Sequence, residues 1–400
     1  MAITPYEAEE TIKARVVRQP ATPMPLEQCI GQTLRQDVYA ERDNPPFDRV
    51  CMDGIALASA AFRSGVRTYR IEATQAAGSP AMSVSQPEAA IEVMTGAIMP
   101  NGTDCVIPLE EYDLVDASAS LHTGVRAEAY RNVQRRGSDS QPGVPMLRDG
   151  MRLGAAEIAV AASAGLAQLQ VTRQPRIVAI STGDELIEPG QPIAAHQVRR
   201  SNVYAVVAAL RQHGFRDVSH DHLLDEETML KARLAQHLSE RDVLILSGGV
   251  SKGKFDLVPK ALKALAVAEV FYQVAQRPGM PMWFGIGPGG QAVFGLPGNP
   301  VSTLICLVRN VLPALTTALG AASGAPEPVA LGEGGKFGRA MTYFLPVEVR
   351  HDALGGVAAW PRVPNGSGDF LALAGTDGFL ELPPRNDAFP AGFVAPLYRW

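Results

Sequence analysis

Two strand-like runs in this sequence end in glycine, hydroxyl and carboxylate residues, the types that hold a phosphate and a divalent cation. The apolar run Val243–Leu246 leads into the segment 247–256, and Ile177–Ile180 leads into the segment 181–186. Glycines let backbone N–H groups approach an oxyanion, and hydroxyls add further donors. Ligands of open α/β sheets bind where the strands end. Because carboxylates beside a phosphate favour an intervening cation, the two segments predict a site for a phosphorylated ligand and Mg²⁺.

Three acidic residues on these turns are candidate cation ligands. Asp184 and Glu185 follow the first strand, and Asp256 closes the second turn. A lone acid near a strand end usually caps a helix or faces water, but three acids on neighbouring turns, each beside glycine and a hydroxyl residue, favour a cation site. A cation there would screen charge and polarise phosphoryl oxygens. Asp225 and Glu226, by contrast, begin a predicted helix, where acids match the helix dipole.

Three other patterns have weaker chemical meaning. Gly248–Lys254 fits the P-loop pattern GxxxxGK, but Phe255 stands where Mg²⁺ binding needs Ser or Thr, so a P-loop-like phosphotransferase is a minority interpretation. Gly285–Gly290 fits GxGxxG but precedes no predicted helix, which indicates a hairpin loop. His220 and His222 share one side of a strand, but no third ligand stands nearby, so a polar strand end is favoured.

Length and composition exclude several classes of protein. With 400 residues, the chain is too long for one core and should form two to four domains. Its net charge of −5 disfavours nucleic acid as the main partner. No apolar run approaches the ~20 residues that span a bilayer, and the acidic N-terminus does not match a signal peptide. We therefore expect a cytoplasmic protein, whose four cysteines are buried free thiols: Cys29, Cys51, Cys105 and Cys306.

The first 170 residues predict a mixture of helical and β-rich segments. A helix is predicted near 6–17, and short β-type runs alternate with turns from about 47 to 139. The segment 151–169 is alanine-rich and helical in type. These elements would surround, rather than form, the predicted phosphate site.

The α/β unit begins near residue 174. Its strands alternate with helices, and such βαβ steps imply right-handed crossovers and a parallel sheet. An apolar helix begins at Pro300 and runs to about Leu319, with Asn299 as its N-cap. After a linker at 321–328, the remaining residues predict a separate small β domain. The predicted strands of the α/β unit lie near 176–180, 216–223, 242–246, 282–286 and 292–294.

Taken together, these motifs resemble the MoeA-type molybdopterin molybdenumtransferase family, which shares its pattern with the C-terminal part of gephyrin. The match runs from about residue 5 to the C-terminus, with the motifs in the same order. The segments that carry it are Pro45–Arg49, Met52–Gly54, Met94–Pro100, Asn132–Asp139, Ser181–Leu186, Ser247–Asp256 and Gly295–Ser302.

The resemblance implies a multidomain α/β plus β protein. It implies a discontinuous helical linker domain at 1–45 and 140–172, a β-rich domain at 46–139, a MogA/MoaB-like parallel α/β domain at 173–320 that binds molybdopterin, and a C-terminal β-barrel at 326–400. It further implies a homodimer whose active site lies between the α/β domain of one subunit and the β-rich domain of the other. The implied reaction takes adenylylated molybdopterin and molybdate, needs Mg²⁺, and releases AMP. Implied protein partners are the molybdopterin adenylyltransferase and acceptor molybdoenzymes.

By motif position, the resemblance also implies residue roles. Asp53, Glu185 and Asp256 would be catalytic. The metal would be bound by Asp184, Glu185, Asp225, Glu226 and Asp256. The other matched residues would bind the pterin, its phosphates or the oxyanion: Thr95, Arg135, Asp139, Thr182, Gly183, Gly248, Gly249, Ser251, Lys252, Lys254, Arg277, Pro297, Gly298 and Asn299.

Two positions depart from the family pattern. Val50 stands where many members have Ser, and Met280 stands where many have Lys. Because molybdate is a dianion, losing an ammonium at about 4 Å would forfeit a few kcal/mol at an intermediate dielectric. One hypothesis is that Lys252 or Lys254 supplies this charge instead. The other is a pterin-cofactor carrier or scaffold that has weakened or lost the chemistry.

Overall fold

The computed structural model describes residues 2–249, 257–322, 324–336, 340–385 and 387–400. Its N-terminal helix begins with a capping box, because Thr4 Oγ1 accepts from the Glu7 backbone N–H at 3.2 Å and the Glu7 carboxylate accepts from Thr4 N–H at 2.8 Å. The helix ends before the predicted boundary. The first elements are α1 (Pro5–Lys13), β1 (Ala21–Pro25) and β2 (Val38–Tyr39).

A curled six-stranded sheet forms the β-rich part of the chain, in the order β7-β4-β6-β5-β9-β8. Its inner face buries apolar side chains such as Ile55, Tyr69 and Ile107. A separate two-stranded ladder joins β3 to β10. The elements are β3 (Arg49–Val50), β4 (Gly54–Leu57), α2 (Ser59–Arg63), β5 (Thr68–Gln75), β6 (Ala89–Val93), β7 (Cys105–Pro108), β8 (Tyr112–Val115), β9 (Ser118–Leu121) and β10 (Val133–Gln134).

The chain then returns to pair with its own N-terminal strands. The segments are β11 (Pro145–Leu147), α3 (Ala155–Ser163) and β12 (Gln168–Thr172), with β11 pairing with β2 and β12 pairing with β1. The prediction of one helical segment over 151–169 is therefore wrong at its ends. Gly165 has a φ of +79°, which lies outside the helical region, so the chain leaves the helix there and continues as a strand.

The α/β part contains a six-stranded sheet in the order β16-β13-β17-β21-β20-β18. The four strands β16, β13, β17 and β21 run parallel, whereas β20 and β18 add antiparallel strands at one edge, so the sheet is mixed. The predicted hairpin at Gly285–Gly290 joins β20 to β21. The elements are β13 (Ile177–Thr182), β14 (Leu186–Ile187), β15 (Val198–Arg199), α4 (Asn202–Gln212), β16 (Val218–Leu223), α5 (Glu227–Glu240), β17 (Val243–Ser247), α6 (Leu257–Ala264), β18 (Ala268–Tyr272), β19 (Gln276–Arg277), β20 (Trp283–Ile286), β21 (Ala292–Leu296), α7 (Pro300–Cys306) and α8 (Leu312–Leu319).

The apolar helix at 300–319 has an internal π-helical turn, Leu307–Val311, between α7 and α8. The stretch Pro300–Leu319 is long and apolar enough to span a membrane by composition, which corrects the sequence expectation that no run approaches that length. However, 78% of its most apolar window is buried inside the protein, so it is the central helix of a core. Asn299 precedes it, but makes no side-chain capping bond.

The C-terminal residues form a closed five-stranded barrel. Its strands pair in the ring β23-β24-β22-β26-β25, which β25 closes by pairing with β23. Short β19 pairs with β23 and so attaches the α/β part to the barrel. The strands are β22 (Glu327–Leu331), β23 (Thr342–His351), β24 (Val357–Pro361), β25 (Gly378–Leu382) and β26 (Val394–Arg399). The predicted multidomain α/β plus β class is confirmed.

One ion cluster crosses the largest apolar core. That core contains Ile12 of α1, the α7–α8 helix, and Phe379 of the barrel. Arg309, whose side chain is 4% exposed, lies in the π turn and donates to Glu9 of α1 at 2.5 Å and to Glu381 of β25 at 2.7 Å. Burial raises the pKa of Glu9, but the hydrogen bond from Lys13 and the charge of Arg309 outweigh it and hold that pKa below its usual range. Arg309 therefore joins three separate parts of the chain.

The cysteine prediction holds for three of the four residues. Cys29, Cys105 and Cys306 are buried free thiols, but Cys51 is exposed. Cys51 lies in the exposed turn between β3 and β4, and its position in this turn exposes the thiol.

We expect Arg309→Ala to reduce the free energy of unfolding by about 3 kcal/mol, because it leaves the half-buried Glu381 carboxylate without this cation, whereas Glu9 keeps its ion pair with Lys13. Arg399→Ala is the matched control, since Arg399 and Glu327 form an exposed pair at 3.0 Å and such pairs contribute about 0–1 kcal/mol. Urea unfolding of both variants measures the difference. Equal losses of unfolding free energy in the two variants would show that the Arg309 cluster does not stabilise the contact between α1, the α7–α8 helix and the barrel.

Candidate functional site

Three loops follow neighbouring parallel strands and meet at one edge of the sheet. In the register of the sheet, Ser181 of β13 pairs with Ser247 of β17, which pairs with Leu296 of β21. The loops that follow therefore start at the same level. They carry most of the residues predicted to bind a phosphorylated ligand in the α/β part: Thr182, Gly183, Gly248, Gly249, Pro297, Gly298 and Asn299.

The glycine turn after β17 has no room for side chains. Gly249 has a φ of +65°, and a Cβ there would lie 2.6 Å from Thr182 Oγ1 and 2.9 Å from Val258 Cγ2. A Cβ on Gly298 would lie 3.5 Å from Gly248 Cα, so the turns after β17 and β21 are close neighbours. Close backbone approach of this kind is what glycine permits. Thr182 Oγ1 is buried and has no hydrogen-bond partner among the described residues, so it is available to a ligand.

Asn202 fixes the relative positions of these loops, and the sequence analysis missed it. Its Nδ2 lies 2.9 Å from Ser247 Oγ, 2.7 Å from the Gly298 carbonyl oxygen and 3.2 Å from Thr303 Oγ1. Thr303 Oγ1 in turn donates to the Pro297 carbonyl at 2.6 Å. The only available signal was an asparagine at the start of a predicted helix, and this position is common for simple caps.

The acidic residues at this edge of the sheet differ in their hydrogen-bond partners. The Asp184 carboxylate accepts a hydrogen bond from the Asp225 backbone N–H at 3.0 Å, which joins the loops after β13 and β16. Glu226 uses both carboxylate oxygens to cap α5, accepting from Thr228 N–H at 3.0 Å and Met229 N–H at 2.7 Å. These backbone bonds, that to Met229 first, lower the pKa of Glu226. For Glu226 the structure thus shows the capping role, and its role as a metal ligand stays a prediction.

The donors at this edge suit a hard cation only in part. Carboxylate oxygens such as those of Asp184 and Glu185 are what Mg²⁺ prefers, and Mg²⁺ is often held by one or two carboxylates together with substrate phosphates. Within the described ranges, however, no group of three or more His, Cys, Asp or Glu side chains is arranged to hold a metal. A site completed by substrate fits the residues present, whereas an all-protein cage does not. Ser251, Lys252, Lys254 and Asp256 lie outside the described residues.

A second cluster lies on the β-rich part of the chain. Asp53 accepts from Thr95 Oγ1 and from Thr95 N–H, both at 2.6 Å. These bonds, the side-chain one first, lower the pKa of the Asp53 carboxyl. No hydrogen bond or ion pair within the described part of the chain links this cluster to Glu185.

The basic segment beside that cluster is ordered by local contacts. The Arg135 guanidinium lies 3.6 Å from the centroid of the Tyr130 ring. Asp139 accepts from Gln134 Nε2 at 2.8 Å and from Ser138 Oγ at 3.0 Å. The segment therefore presents Arg135 in a fixed position, while the Asp139 carboxylate is already hydrogen-bonded.

A cavity of about 510 Å³ lies between the α/β part and the barrel. Arg277 of β19 and Met280 of the following loop line it from the α/β part, and Lys336 lines it from the barrel, between β22 and β23. Its floor includes Asn299, whose Nδ2 donates to Ser367 Oγ at 2.8 Å. The cavity thus adjoins the loop that follows β21, and two cationic side chains, Arg277 and Lys336, line it.

The two departures from the family pattern differ in setting. Val50 is 1% exposed and packs in a core with Ile91 and Val106. Met280 is 39% exposed and lines the cavity. Only Met280 can therefore change the charge of a binding site directly.

Comparisons with known proteins agree along the whole chain. Residues 3–165 match the model of the MoeA N-terminal region (domain I and II), and residues 178–317 match that of a probable molybdopterin binding domain. A molybdopterin molybdenumtransferase from a Synechocystis species is 39% identical over 394 residues, covering 98% of each chain. One from Staphylococcus epidermidis is 29% identical over 404 residues, covering 98% of this chain and 94% of the relative. The crystal structure of a molybdopterin biosynthesis MoeA protein from Pyrococcus horikosii superposes with a TM-score of 0.82 at 25% identity, covering 100% of this chain and 99% of the other.

We expect Gly249→Ala to destabilise the protein by about 1–3 kcal/mol more than Gly190→Ala, because its Cβ must displace Thr182 or Val258. Gly190 is the matched control: its φ is +89°, but a Cβ there would meet nothing within 4 Å. Urea unfolding measures both losses. A difference near zero would mean that the turn can move away from Thr182.

Proposed function

Because the chain belongs to the MoeA family of molybdopterin molybdenumtransferases and its function is molybdenum cofactor biosynthesis, we propose that it inserts molybdenum from molybdate into adenylylated molybdopterin and releases AMP. The observation that carries this proposal is the row of loops at the sheet edge. There the glycine turn faces the Thr182 hydroxyl, which has no hydrogen-bond partner in the described part of the chain, beside the Asp184 and Glu185 loop. This arrangement combines donors for a phosphate with carboxylates for a cation.

In this proposal each loop has its own task. The backbone N–H of Gly249, with Thr182 Oγ1, holds the pterin phosphate, while Pro297–Asn299 form the adjacent wall. Gly248, whose N–H donates to the Leu296 carbonyl at 3.3 Å, lets the backbone of this turn approach the ligand. Asp184 and Glu185, with Asp256 and Asp225, are the residues that would hold Mg²⁺, together with phosphate oxygens of the substrate. Bound Mg²⁺ would neutralise charge on the phosphate that leaves with AMP. Asn202 keeps the loops after β17 and β21 in register.

We further propose that a homodimer completes the site. Asp53 and Thr95 have no contact with Glu185 within one described chain, so they would reach substrate from a partner subunit. The lowered pKa of Asp53 keeps its carboxylate ionised, which suits a base or an acceptor. Arg135 would add positive charge from the same surface. We place the reaction in the cytoplasm, with the adenylyltransferase and the molybdoenzymes as partners.

The cavity at Arg277 is the proposed oxyanion site. It is large enough for molybdate, and its two cationic side chains match a dianion. Lys336 lines the same cavity as Met280 and can supply the charge that Met280 lacks. This assignment differs from the hypothesis that Lys252 or Lys254 supplies it.

The central test is release of AMP from adenylylated molybdopterin in the presence of Mg²⁺ and molybdate. The carrier interpretation remains the second candidate, because Met280 removes a cation from the proposed oxyanion site. If the protein binds molybdopterin but releases no AMP at any molybdate concentration, the carrier interpretation replaces the enzymatic one.

We expect Thr95→Val to raise the pKa of Asp53 towards its ordinary value, since the substitution removes the Thr95 Oγ1 hydrogen bond. The acid limb of AMP release should then move to higher pH, because Asp53 protonates earlier as the pH falls. Carbon-detected NMR of labelled aspartate measures the pKa itself. Ser138→Ala is the control, as it alters Asp139 and leaves Asp53 unchanged. An unchanged Asp53 titration would refute the assignment.

We expect Lys336→Ala to raise the molybdate concentration that gives the half-maximal rate about tenfold, and Met280→Lys to lower it about tenfold. The reason is the attraction between an ammonium group and the molybdate dianion at a separation of roughly 4 Å. Lys231→Ala, on α5 and outside the cavity lining, should have no effect. The double variant Lys252→Ala/Lys254→Ala distinguishes the two sources of charge. If the double variant weakens molybdate binding and Lys336→Ala does not, the glycine turn supplies the charge.

A further inference from the structure

The segment that carries Asp184 and Glu185 lacks a core of its own. Residues 183–201, here called the acidic loop, are mostly exposed apart from their two ends at Gly183 and Arg200. A two-residue parallel ladder between β14 and β15 joins its arms, with Val198 N–H donating to the Glu185 carbonyl at 2.9 Å. Segments with so few buried apolar contacts open easily, so polar contacts must decide where this loop lies.

One side chain of the acidic loop reaches the neighbouring helix. Glu188 accepts a hydrogen bond from Tyr204 of α4 through one carboxylate oxygen, and from Arg200 through the other. Tyr204 is itself held by packing, because its ring lies 5.3 Å, centroid to centroid, from that of His220 in β16. Glu188 therefore connects the loop to the body of the α/β part.

The backbone of the acidic loop is also hydrogen-bonded on both sides of Glu188. Arg199 Nη1 donates to the Glu188 carbonyl at 3.0 Å and to the Gln191 carbonyl at 2.6 Å. The Arg200 backbone N–H donates to the Ile187 carbonyl at 3.0 Å. Any movement of Glu188 is thus transmitted through the short ladder to Glu185, three residues away.

This contact differs from an ordinary surface ion pair. Such pairs usually contribute little, because both partners remain in water. Here the Arg200 side chain is 10% exposed, and its Nε is buried without a hydrogen-bond partner among the described residues. Among the described residues, loss of the Glu188 carboxylate would leave that guanidinium with the Tyr204 ring, 5.9 Å from its Cζ, and no carboxylate. The contact is therefore a strong determinant of loop position.

We propose that Glu188 is a positioning residue for Glu185: its contacts with Tyr204 and Arg200 fix the acidic loop so that Glu185 faces the site at the sheet edge. The inference rests on the proposed function, because it gives Glu185 a role at the metal. In this proposal Glu188 contacts neither the substrate nor the metal.

The experiment compares Glu188→Ala and Tyr204→Phe with wild type in the full-length protein. Tyr204→Phe keeps the ring that packs on His220 and removes only the hydroxyl, so it tests the contact without a large loss of packing. Glu240→Ala is the control, since Glu240 lies at the end of α5 and contacts Gln236 alone among the described side chains. Hydrogen exchange of the amides in 184–200, Mn²⁺ binding by electron paramagnetic resonance, and the Mg²⁺ dependence of AMP release are measured for each.

We expect exchange of the loop amides to rise about tenfold in Glu188→Ala and by less in Tyr204→Phe, as charge-assisted hydrogen bonds are lost. The Mn²⁺ dissociation constant and the half-maximal Mg²⁺ concentration should rise by about the same factor, with the rate at saturating Mg²⁺ changed less than about twofold. A merely structural role would leave the metal dependence unchanged.

Unchanged loop exchange overturns the proposal, and so does faster exchange with unchanged Mn²⁺ and Mg²⁺ dependence. Failure of the proposed function has a different signature, because wild type itself would then release no AMP. In that case loop exchange, which needs no pterin substrate, still decides whether Glu188 fixes the acidic loop.

Discussion

The parallel register of β13, β17 and β21 is the constraint on which the rest of the site depends. Parallel strands end at the same edge of a sheet, so the loops after Thr182, Ser247 and Leu296 are brought together whatever their sequences. The sequence then needs only to make that edge suitable for a ligand. It does so with glycines where backbones approach closely and with one side chain, Asn202, that hydrogen-bonds to two of the loops.

The sequence predicts those parts of the fold in which the pattern of apolar residues matches the burial of the element in the structure. Buried runs such as Ile177–Ile180 could only be central strands, and the family motifs placed the glycine turn beside Thr182. Asn202 and Glu188 could not be found in this way, because an asparagine at a helix start and a glutamate in a loop have common local roles. Their partners, Gly298 and Tyr204, are 96 and 16 residues away, and only the fold brings them together.

The two departures from the family pattern show why a substitution needs its structural setting. From the sequence, Val50 and Met280 had equal weight as signs of lost chemistry. Val50 lies in a core, where it contributes packing, whereas Met280 lines a cavity together with Arg277 and Lys336. A cation elsewhere in a site can offset a missing one if it lies at a similar distance from the bound anion. Lys336 could not be recognised from the sequence, because it belongs to the barrel and is distant from every motif.

The chain thus combines a rigid frame with lightly held loops, and the ion cluster at Arg309 explains how both can coexist. Glu9, Arg309 and Glu381 connect the first helix, the central helix and the barrel within one apolar core, so the walls of the cavity cannot separate independently. The acidic loop shares none of that core and is held by a few polar contacts. Under the proposed function, the site would combine a fixed wall with a loop whose position depends on few contacts. The fixed wall would come from the buried core, and the loop would be the acidic loop, which Glu188 holds in place.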